Sequence, residues 1–285
     1  MITDTELSVR HAISDDRTSL ANILHFEPYV HRHLDWRPPL DWLGYEPYLV
    51  LEKEGRLLAA LACPPDPPGI AWIRVFACLS RFPAREAWDL LWQQAASDLK
   101  QIEVGTVAAI PLQQWFRSLM LEKQFKLEHN VVSLAWQDKE LDDQAENGEI
   151  QIRQMNGADL EQVREIDSQA FGPIWRNSLE TLRLAYQQAI YATVVDGPDE
   201  LLGYQISTPS PLGAHLARLA VVPDAQRQGI GFALVRDVQR RLKHGTSFRL
   251  TVNTQDVNKT SLALYHKADF IETGETFPVY LYELS

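Results

Sequence analysis

The sequence predicts an α/β chain, in the α+β sense, made of two tandem copies of one unit, each a mixed, mostly antiparallel sheet flanked by helices. The first observation is a long-period repeat: Arg10 and Asp16, before a helical apolar pattern, recur as Arg153 and Asp159, 143 residues later. The second is the alternation of short strand patterns with helical patterns in both copies, which favours sheets covered by helices.

The elements of each copy follow the same order. A short strand and two helices come first, and then two strands around a tight turn, at 48–54 and 57–63 in the first copy and at 192–195 and 201–206 in the second. A long strand, a helix, a strand, a helix and closing strands complete each copy. Ala77 and Ala220, in the two long strands, are again 143 residues apart.

The boundary between the copies follows from composition. Residues 137–148 are polar and rich in Asp and Glu, without hydrophobic periodicity, which is typical of a solvated linker. We therefore predict a first domain at 1–137, a linker at 138–148 and a second domain at 149–285.

Composition and charge exclude several classes of function. An apolar fraction of 45% is ample for two packed cores, whereas a net charge of −11 argues against binding to nucleic-acid phosphates. No apolar run has membrane-spanning length, and the first residues do not have the pattern of a secretory signal, so we expect a cytoplasmic protein without a membrane partner. The sequence leaves the oligomeric state open.

The few cysteines and histidines predict no metal site. Cys63 and Cys78 have apolar neighbours and are expected to be buried thiols rather than a disulfide. His31 and His33 form the only close histidine pair, and no cysteine or acidic ligand pattern accompanies them. A polar loop is the simpler interpretation of that pair.

A glycine-containing segment predicts a phosphate site. Gln226 to Gly231 follows an apolar strand at 216–222 and opens a helix that extends to about Lys243. Without a Cβ on Gly229 and Gly231, phosphates can approach the free N–H groups of the first helical turn. The segment lacks the Lys-Ser or Lys-Thr pair of nucleotide hydrolases and the spacing of a dinucleotide fingerprint. We predict a cofactor that carries a pyrophosphate; the alternative is that the two glycines only allow close packing.

This arrangement resembles the GNAT N-acetyltransferase superfamily. The family signature is Gln or Arg, two residues, Gly, one residue, and Gly or Ala, which Gln226, Gly229 and Gly231 fill. A second family signature is matched by Asn258 and, seven residues later, Tyr265. The usual glycine before the closing Phe270 is replaced by Asp269, which concerns a turn rather than the chemistry.

The resemblance implies acetyl-CoA as the cofactor and a splay between the two central strands that admits its pantetheine arm. It also implies transfer of an acetyl group to a primary amine, of a small molecule or a peptide, by direct attack in a ternary complex. The alternative function is a non-catalytic acyl-CoA-binding or regulatory interaction module. The residues expected to bind the cofactor are Leu219, Ala220, Val221, Gln226, Arg227, Gln228, Gly229, Ile230, Gly231, Phe232 and Asn258.

Two residues are candidates for proton transfer. By resemblance, Tyr265 is the acid that protonates the leaving sulfur, although without the motif it would be a core aromatic. His215 is the candidate base, because it occupies the place of a glutamate in histone-acetylating members of the family; strand alternation would put it on one face with Leu219 and Val221. A solvated residue at the start of a strand is the alternative for His215, and Glu272 or water could accept the proton instead.

Other positions indicate which copy works and where the acceptor binds. At the offset of 143, Glu86 falls where Gly229 lies and Trp88 where Gly231 lies. Aligning Phe125 with Phe270 places Met120 opposite Tyr265. The first copy is therefore predicted to be degenerate. One wall of the acceptor pocket is expected at 171–176. Asn258 has the alternative of a simple helix cap.

Overall fold

A computed structural model describes residues 7–137, 150–243 and 249–284 of the chain. The predicted linker at 138–148 lies outside the described residues. The chain divides into two compact units, Met1–Glu128 with Pro278–Ser285 and His129–Phe277. As predicted, both are mixed α/β units with sheets flanked by helices.

The first unit contains a five-stranded antiparallel sheet in the order β1-β3-β4-β6-β2 and a parallel pair, β5 and β7. Its strands are β1 (Ser8–His11), β2 (Tyr29–Arg32), β3 (Tyr48–Lys53), β4 (Arg56–Ala62), β5 (Ile70–Trp72), β6 (Val75–Cys78) and β7 (Thr106–Ala109). Its helices are α1 (Arg17–Phe26), α2 (Ala84–Gln101) and α3 (Gln114–Glu122).

The second unit orders its strands as β14-β8-β13-β12-β11-β10-β9, and β12 and β13 run parallel. The strands are β8 (Lys126–Gln137), β9 (Ile152–Gln154), β10 (Tyr191–Asp196), β11 (Leu201–Ser210), β12 (Gly213–Val221), β13 (Arg249–Gln255) and β14 (Ile271–Glu283). The helices are α4 (Leu160–Ala170), α5 (Leu179–Gln187), α6 (Ile230–Lys243) and α7 (Lys259–Lys267). Leu216, Val235 and Phe270 are among the residues of the core between the sheet and the helices α6 and α7.

The structure reproduces the sequence repeat in atomic detail. Arg10 donates hydrogen bonds to both carboxylate oxygens of Asp16, at 2.7 and 2.9 Å, and Arg153 donates to both carboxylate oxygens of Asp159, at 2.8 Å each. Bidentate pairs of this kind fix the geometry of both partners. The register of the parallel pairs repeats as well, since Ile70 opposite Thr106 in β5 and β7 becomes Gly213 opposite Arg249 in β12 and β13.

The unit boundaries differ from those predicted. Strand β8 pairs with β13 over Val131–Gln137, so the end of the first predicted domain belongs to the second unit. Conversely, the end of β14 pairs with β7, where Tyr280 lies opposite Ala109, and Tyr280 is buried in the first unit's core. Each unit is therefore completed by a strand from the other half of the sequence. A strand pattern gives no sign of this, because it does not specify the pairing partner.

The first copy also departs from the predicted element order. In place of a second helix after α1, it has the strand β2, which follows Pro28. His31 lies in this strand, fully buried and stacked on Phe116 at 4.2 Å between ring centroids, so the prediction of a polar loop was wrong for His31. Cys63 and Cys78 are buried free thiols, as predicted. Among the described residues, no helix is both long enough and apolar enough to cross a membrane.

Candidate functional site

The strands β12 and β13 separate where the resemblance implies a splay. Their parallel register includes His215 opposite Thr251 and ends at Leu216 opposite Val252. Strand β12 continues for five residues, to Val221, and remains paired with β11 as far as Gly203 opposite Val221. Within the described part of the chain, the last five residues of β12 have an open edge on the β13 side.

The backbone of Val221 faces this open edge. On the other edge, the N–H of Val222 donates to the carbonyl of Leu202 at 2.9 Å. Because backbone groups alternate between the two edges of a strand, the N–H and carbonyl of Val221 point into the gap, and those of Ala220 point to β11. The Val221 carbonyl accepts a hydrogen bond from Nε2 of Gln226 at 3.1 Å. Gln226 thus ties the loop to the strand end, while the Val221 N–H remains directed into the gap.

The loop after β12 forms a cradle at the start of α6. Arg227 and Gly229 have positive φ angles of 63° and 89°, so the backbone curls before the helix begins. Among the described residues, no hydrogen-bond acceptor is found for the six N–H groups of residues 227–232. The loop is exposed, and a Cβ on Gly229 would meet only Ile150 Cδ1, at 4.0 Å. Exposed free N–H groups at the positive end of a 14-residue helix fit an anionic group such as a pyrophosphate.

Gly231 has a different role from Gly229. A Cβ at Gly231 would lie 3.3 Å from Leu264 Cδ2 and 3.8 Å from Val221 Cγ2. Its lack of a side chain therefore lets α6 pack closely against α7 and β12. The packing alternative holds for Gly231, whereas Gly229 supplies the left-handed turn of the cradle.

A β-bulge decides which side chains of β12 share a face. Arg218 pairs with Ile206 and Leu216 with Ser207, so Ala217 is an extra residue in β12. The bulge puts His215 on the same face as Arg218, towards α4. Leu219 packs on the opposite face, under α6. The prediction that His215 shares a face with Leu219 and Val221 was therefore wrong, because simple alternation does not hold across a bulge.

His215 is held as a neutral imidazole. Its Nδ1 lies 2.9 Å from Oγ1 of Thr251, and that hydroxyl lies 3.4 Å from the carbonyl of Ala214. A carbonyl only accepts, so when the Thr251 hydroxyl donates to Ala214 it accepts from Nδ1–H of His215, and this is the tautomer that we assign. This leaves the lone pair on Nε2. Burial lowers the pKa of His215 below its ordinary value, which favours the neutral, proton-accepting form at pH 7.

Asn258 precedes α7 as its N-cap, and Tyr265 lies within the helix. The Asn258 side chain caps the helix by accepting from the N–H of Ser261 at 3.1 Å, as the alternative interpretation of this residue stated. Tyr265 is only 5% exposed and packs on Phe270. No hydrogen-bond partner is found for its hydroxyl among the described residues. Burial raises the pKa of Tyr265 and the cation of Arg218 opposes the rise, so the phenol keeps its proton at pH 7.

Sequence reasoning missed a buried charged cluster on the α4 side of β12. Asp167 is fully buried, and its Oδ2 accepts from Nε of Arg218 and from the hydroxyl of Tyr204, each at 2.6 Å. A second nitrogen of Arg218 donates to the carbonyl of Trp175, and its guanidinium lies 3.5 Å from the ring centre of Phe171. The cluster therefore holds the segment at 171–177, which contains the predicted acceptor wall. A signal was available, since Arg218 is the only charged residue in the run 216–222.

The first unit lacks the open edge. Its strand β6 corresponds to 218–221 at the offset of 143, and its edge is paired with β2, with Val30 opposite Ala77. Trp88 is 1% exposed in an aromatic cluster with Phe76 and Trp92, and Met120 is fully buried. A strand of the chain itself thus occupies the edge that is open in the second unit.

Comparisons with known proteins concern the domain family and the fold. The acetyltransferase (GNAT) domain family matches residues 158–279. No curated protein matches the chain. Among solved structures, a GCN5-related N-acetyltransferase from Sphaerobacter thermophilus has a TM-score of 0.62 at 15% identity, covering 98% of this chain and 96% of that one.

Two further structures share the fold. A tandem GNAT protein of the clavulanic acid biosynthesis pathway has a TM-score of 0.60 at 15% identity, covering 98% and 99% of the two chains. A protein from Enterococcus faecalis V583, described as a probable N-acyltransferase, has a TM-score of 0.71 at 10% identity, covering 98% of this chain and 73% of that one. The chain therefore has a fold similar to that of tandem GNAT proteins and matches the GNAT acetyltransferase domain family over residues 158–279.

Proposed function

We propose that the second unit is an acetyl-CoA-dependent N-acetyltransferase that acts on a primary amine by direct attack in a ternary complex. The observation that carries the proposal is the open edge of β12 leading directly into the cradle at 226–231. One groove thus offers strand-like hydrogen bonds to an amide-containing arm and free N–H groups to a pyrophosphate. Acetyl-CoA has both parts.

We further propose binding roles for the residues along the groove. The backbone from Leu219 to Val221 would pair with the pantetheine amides, and Gln226 keeps that strand end in place through the Val221 carbonyl. The N–H groups of 227–232 would bind the pyrophosphate, with Gly229 providing the turn. Asn258 supports the site by capping α7, the helix that carries Tyr265.

Proton transfer falls to residues on either side of the splay. Acetyl-CoA supplies an acetyl thioester when bound. Nε2 of His215, with its lone pair free, accepts the proton of the attacking amine, directly or through a water. Oη of Tyr265 holds a proton for the leaving group, and the Val221 N–H is a donor in the gap for an oxygen that gains negative charge.

The first unit would bind no acetyl-CoA, because β2 occupies its edge and Glu86 stands in the first turn of α2. Calorimetry with acetyl-CoA is expected to give one site per chain. A second equivalent site would refute the assignment of the first unit as degenerate.

Assays of thiol release with panels of small amines and peptide N-termini test the activity. A catalyst releases coenzyme A only when a suitable amine is present, whereas a module that merely binds acyl-CoA gives the calorimetric signal without amine-dependent release.

A further inference from the structure

The guanidinium of Arg218 has unused hydrogen-bonding capacity at the acceptor side of the splay. The side chain is only 10% exposed, and its Nε and one terminal nitrogen bond to Asp167 and to the Trp175 carbonyl. A guanidinium has five N–H groups, and the partners found for it among the described residues are Asp167, the Trp175 carbonyl and the adjacent Tyr204 hydroxyl. N–H groups therefore remain for a ligand, which a nearly buried cation normally needs.

Asp167, the carboxylate that neutralises Arg218, serves three donors: Oδ2 accepts from Tyr204 as well as from Arg218, and Oδ1 accepts from the N–H of Asn177 at 2.8 Å. Phe171 covers one face of the guanidinium, which fixes its plane and leaves the edge for in-plane hydrogen bonds. A carboxylate of a ligand is the acceptor that forms the strongest hydrogen bonds with the remaining N–H groups.

The bulge at Ala217 puts this cation close to the candidate base. His215 and Arg218 lie on one face of β12, opposite Thr208 and Ile206, which are two residues apart in β11, so the two positions are about 7 Å apart along the face. A ligand that carries both an amine and a carboxylate can therefore lie along this face with one group towards each side chain.

We propose that the acceptor is an amine with a carboxylate close to its amino group, as in a free amino acid, and that Arg218 binds this carboxylate. The proposal rests on the proposed acetyltransferase function and makes Arg218 a determinant of acceptor specificity.

The test compares matched acceptors with the full-length protein. Each set contains an amino acid, its amide and the decarboxylated amine with the same side chain, and several side chains are screened. We measure kcat/KM by thiol release and, separately, ligand binding by saturation-transfer NMR in the presence of coenzyme A, which does not require turnover. The amino acid is expected to exceed the amine by about 30-fold, since one charge-assisted hydrogen-bonded pair is gained.

Arg218→Met alone leaves Asp167 buried without its cation and can fail to fold, so the informative variant is Arg218→Met with Asp167→Asn, which removes both charges. Arg218→Lys retains the positive charge but lacks the planar guanidinium that can donate two parallel hydrogen bonds to a carboxylate. The double variant should lose the preference for the carboxylate, while Arg218→Lys keeps part of it.

Equal binding of amino acid and amine by the wild-type protein overturns the proposal, as does a preference that survives in the double variant. A preference for the amide equal to that for the acid also overturns it, because Arg218 would then recognise a peptide-like carbonyl. Failure of the proposed function has a different signature, namely the absence of amine-dependent thiol release with every acceptor in the panel, with or without calorimetric binding of acetyl-CoA.

Discussion

The cradle predicts a charge-dependent loss of cofactor affinity when Gly229 is replaced. Gly229→Glu introduces the residue that the first copy carries at the corresponding position, Glu86. The matched control is Gly229→Gln, which has the same length and shape without the charge. At a φ of 89°, both side chains force the same unfavourable backbone conformation, and a Cβ has open space around it.

The cost of the backbone conformation and the charge repulsion can be separated by measurement. A left-handed conformation costs an ordinary residue about 1–2 kcal/mol, so both variants should lose that stability and lower the melting temperature equally. A carboxylate within about 5 Å of a pyrophosphate in this exposed loop adds repulsion of roughly 2 kcal/mol, between the values for water and for a protein surface. We therefore expect acetyl-CoA to bind Gly229→Glu about 30-fold more weakly than Gly229→Gln.

Isothermal titration calorimetry measures both affinities, and thermal unfolding confirms that the variants fold alike. Because the repulsion is electrostatic, the difference should narrow as ionic strength rises. Affinities of the two variants within threefold of each other, at low salt and with matched melting temperatures, would refute the assignment of the loop as the pyrophosphate site.

Three further predictions concern individual side chains. Tyr265→Phe should lower kcat about tenfold or more, with little change in acetyl-CoA affinity or stability, because no hydrogen-bond partner is found for the hydroxyl among the described residues. The control is Tyr204→Phe, which removes the hydrogen bond to Asp167 and should lower the free energy of unfolding by about 1–3 kcal/mol in denaturant. Unchanged turnover in Tyr265→Phe, where chemistry limits the rate, would assign that residue to the core alone. In the wild-type protein, the acid limb of the pH profile of kcat/KM should lie below pH ~6.5, because burial lowers the pKa of His215. His215→Asn should reduce kcat/KM about 100-fold and abolish this limb. A uniform loss of kcat/KM with the acid limb intact would contradict the role of His215 as the base. Gly213→Ala should destabilise the fold by about 3 kcal/mol or more, because its Cβ would lie 2.1 Å from the backbone oxygen of Arg249. A smaller loss in urea unfolding would contradict the close approach of β12 to β13 at this position.

Local patterns predicted the elements around the site. The apolar run at 216–222 and the helix to Lys243 correspond to β12 and α6, because a strand or a helix is specified by the period of its own residues. The cradle was also predictable from local sequence, because the spaced glycines and the start of the helix are adjacent in the chain.

Features that depend on distant residues were not predictable in this way. The bulge at Ala217 exists because β11 and β12 change register, and this reversed the expected facing of His215 relative to Leu219. Arg218 was readable as a lone charge in an apolar strand, but its partner Asp167 lies 51 residues away on α4. The replacement of a helix by β2 likewise depended on an edge of β6 far along the chain.

The exchange of final strands between the two halves affects how the chain folds during synthesis and whether it can be truncated. A fragment beginning at residue 149 lacks β8, so the edge of β13 that β8 covers would be exposed and prone to pair with other chains. A nascent chain cannot complete its first unit until the last strand, ending at Glu283, has been synthesised. The duplicated halves are thus no longer separable modules, and a gene fragment encoding either half would specify a sheet with a missing strand.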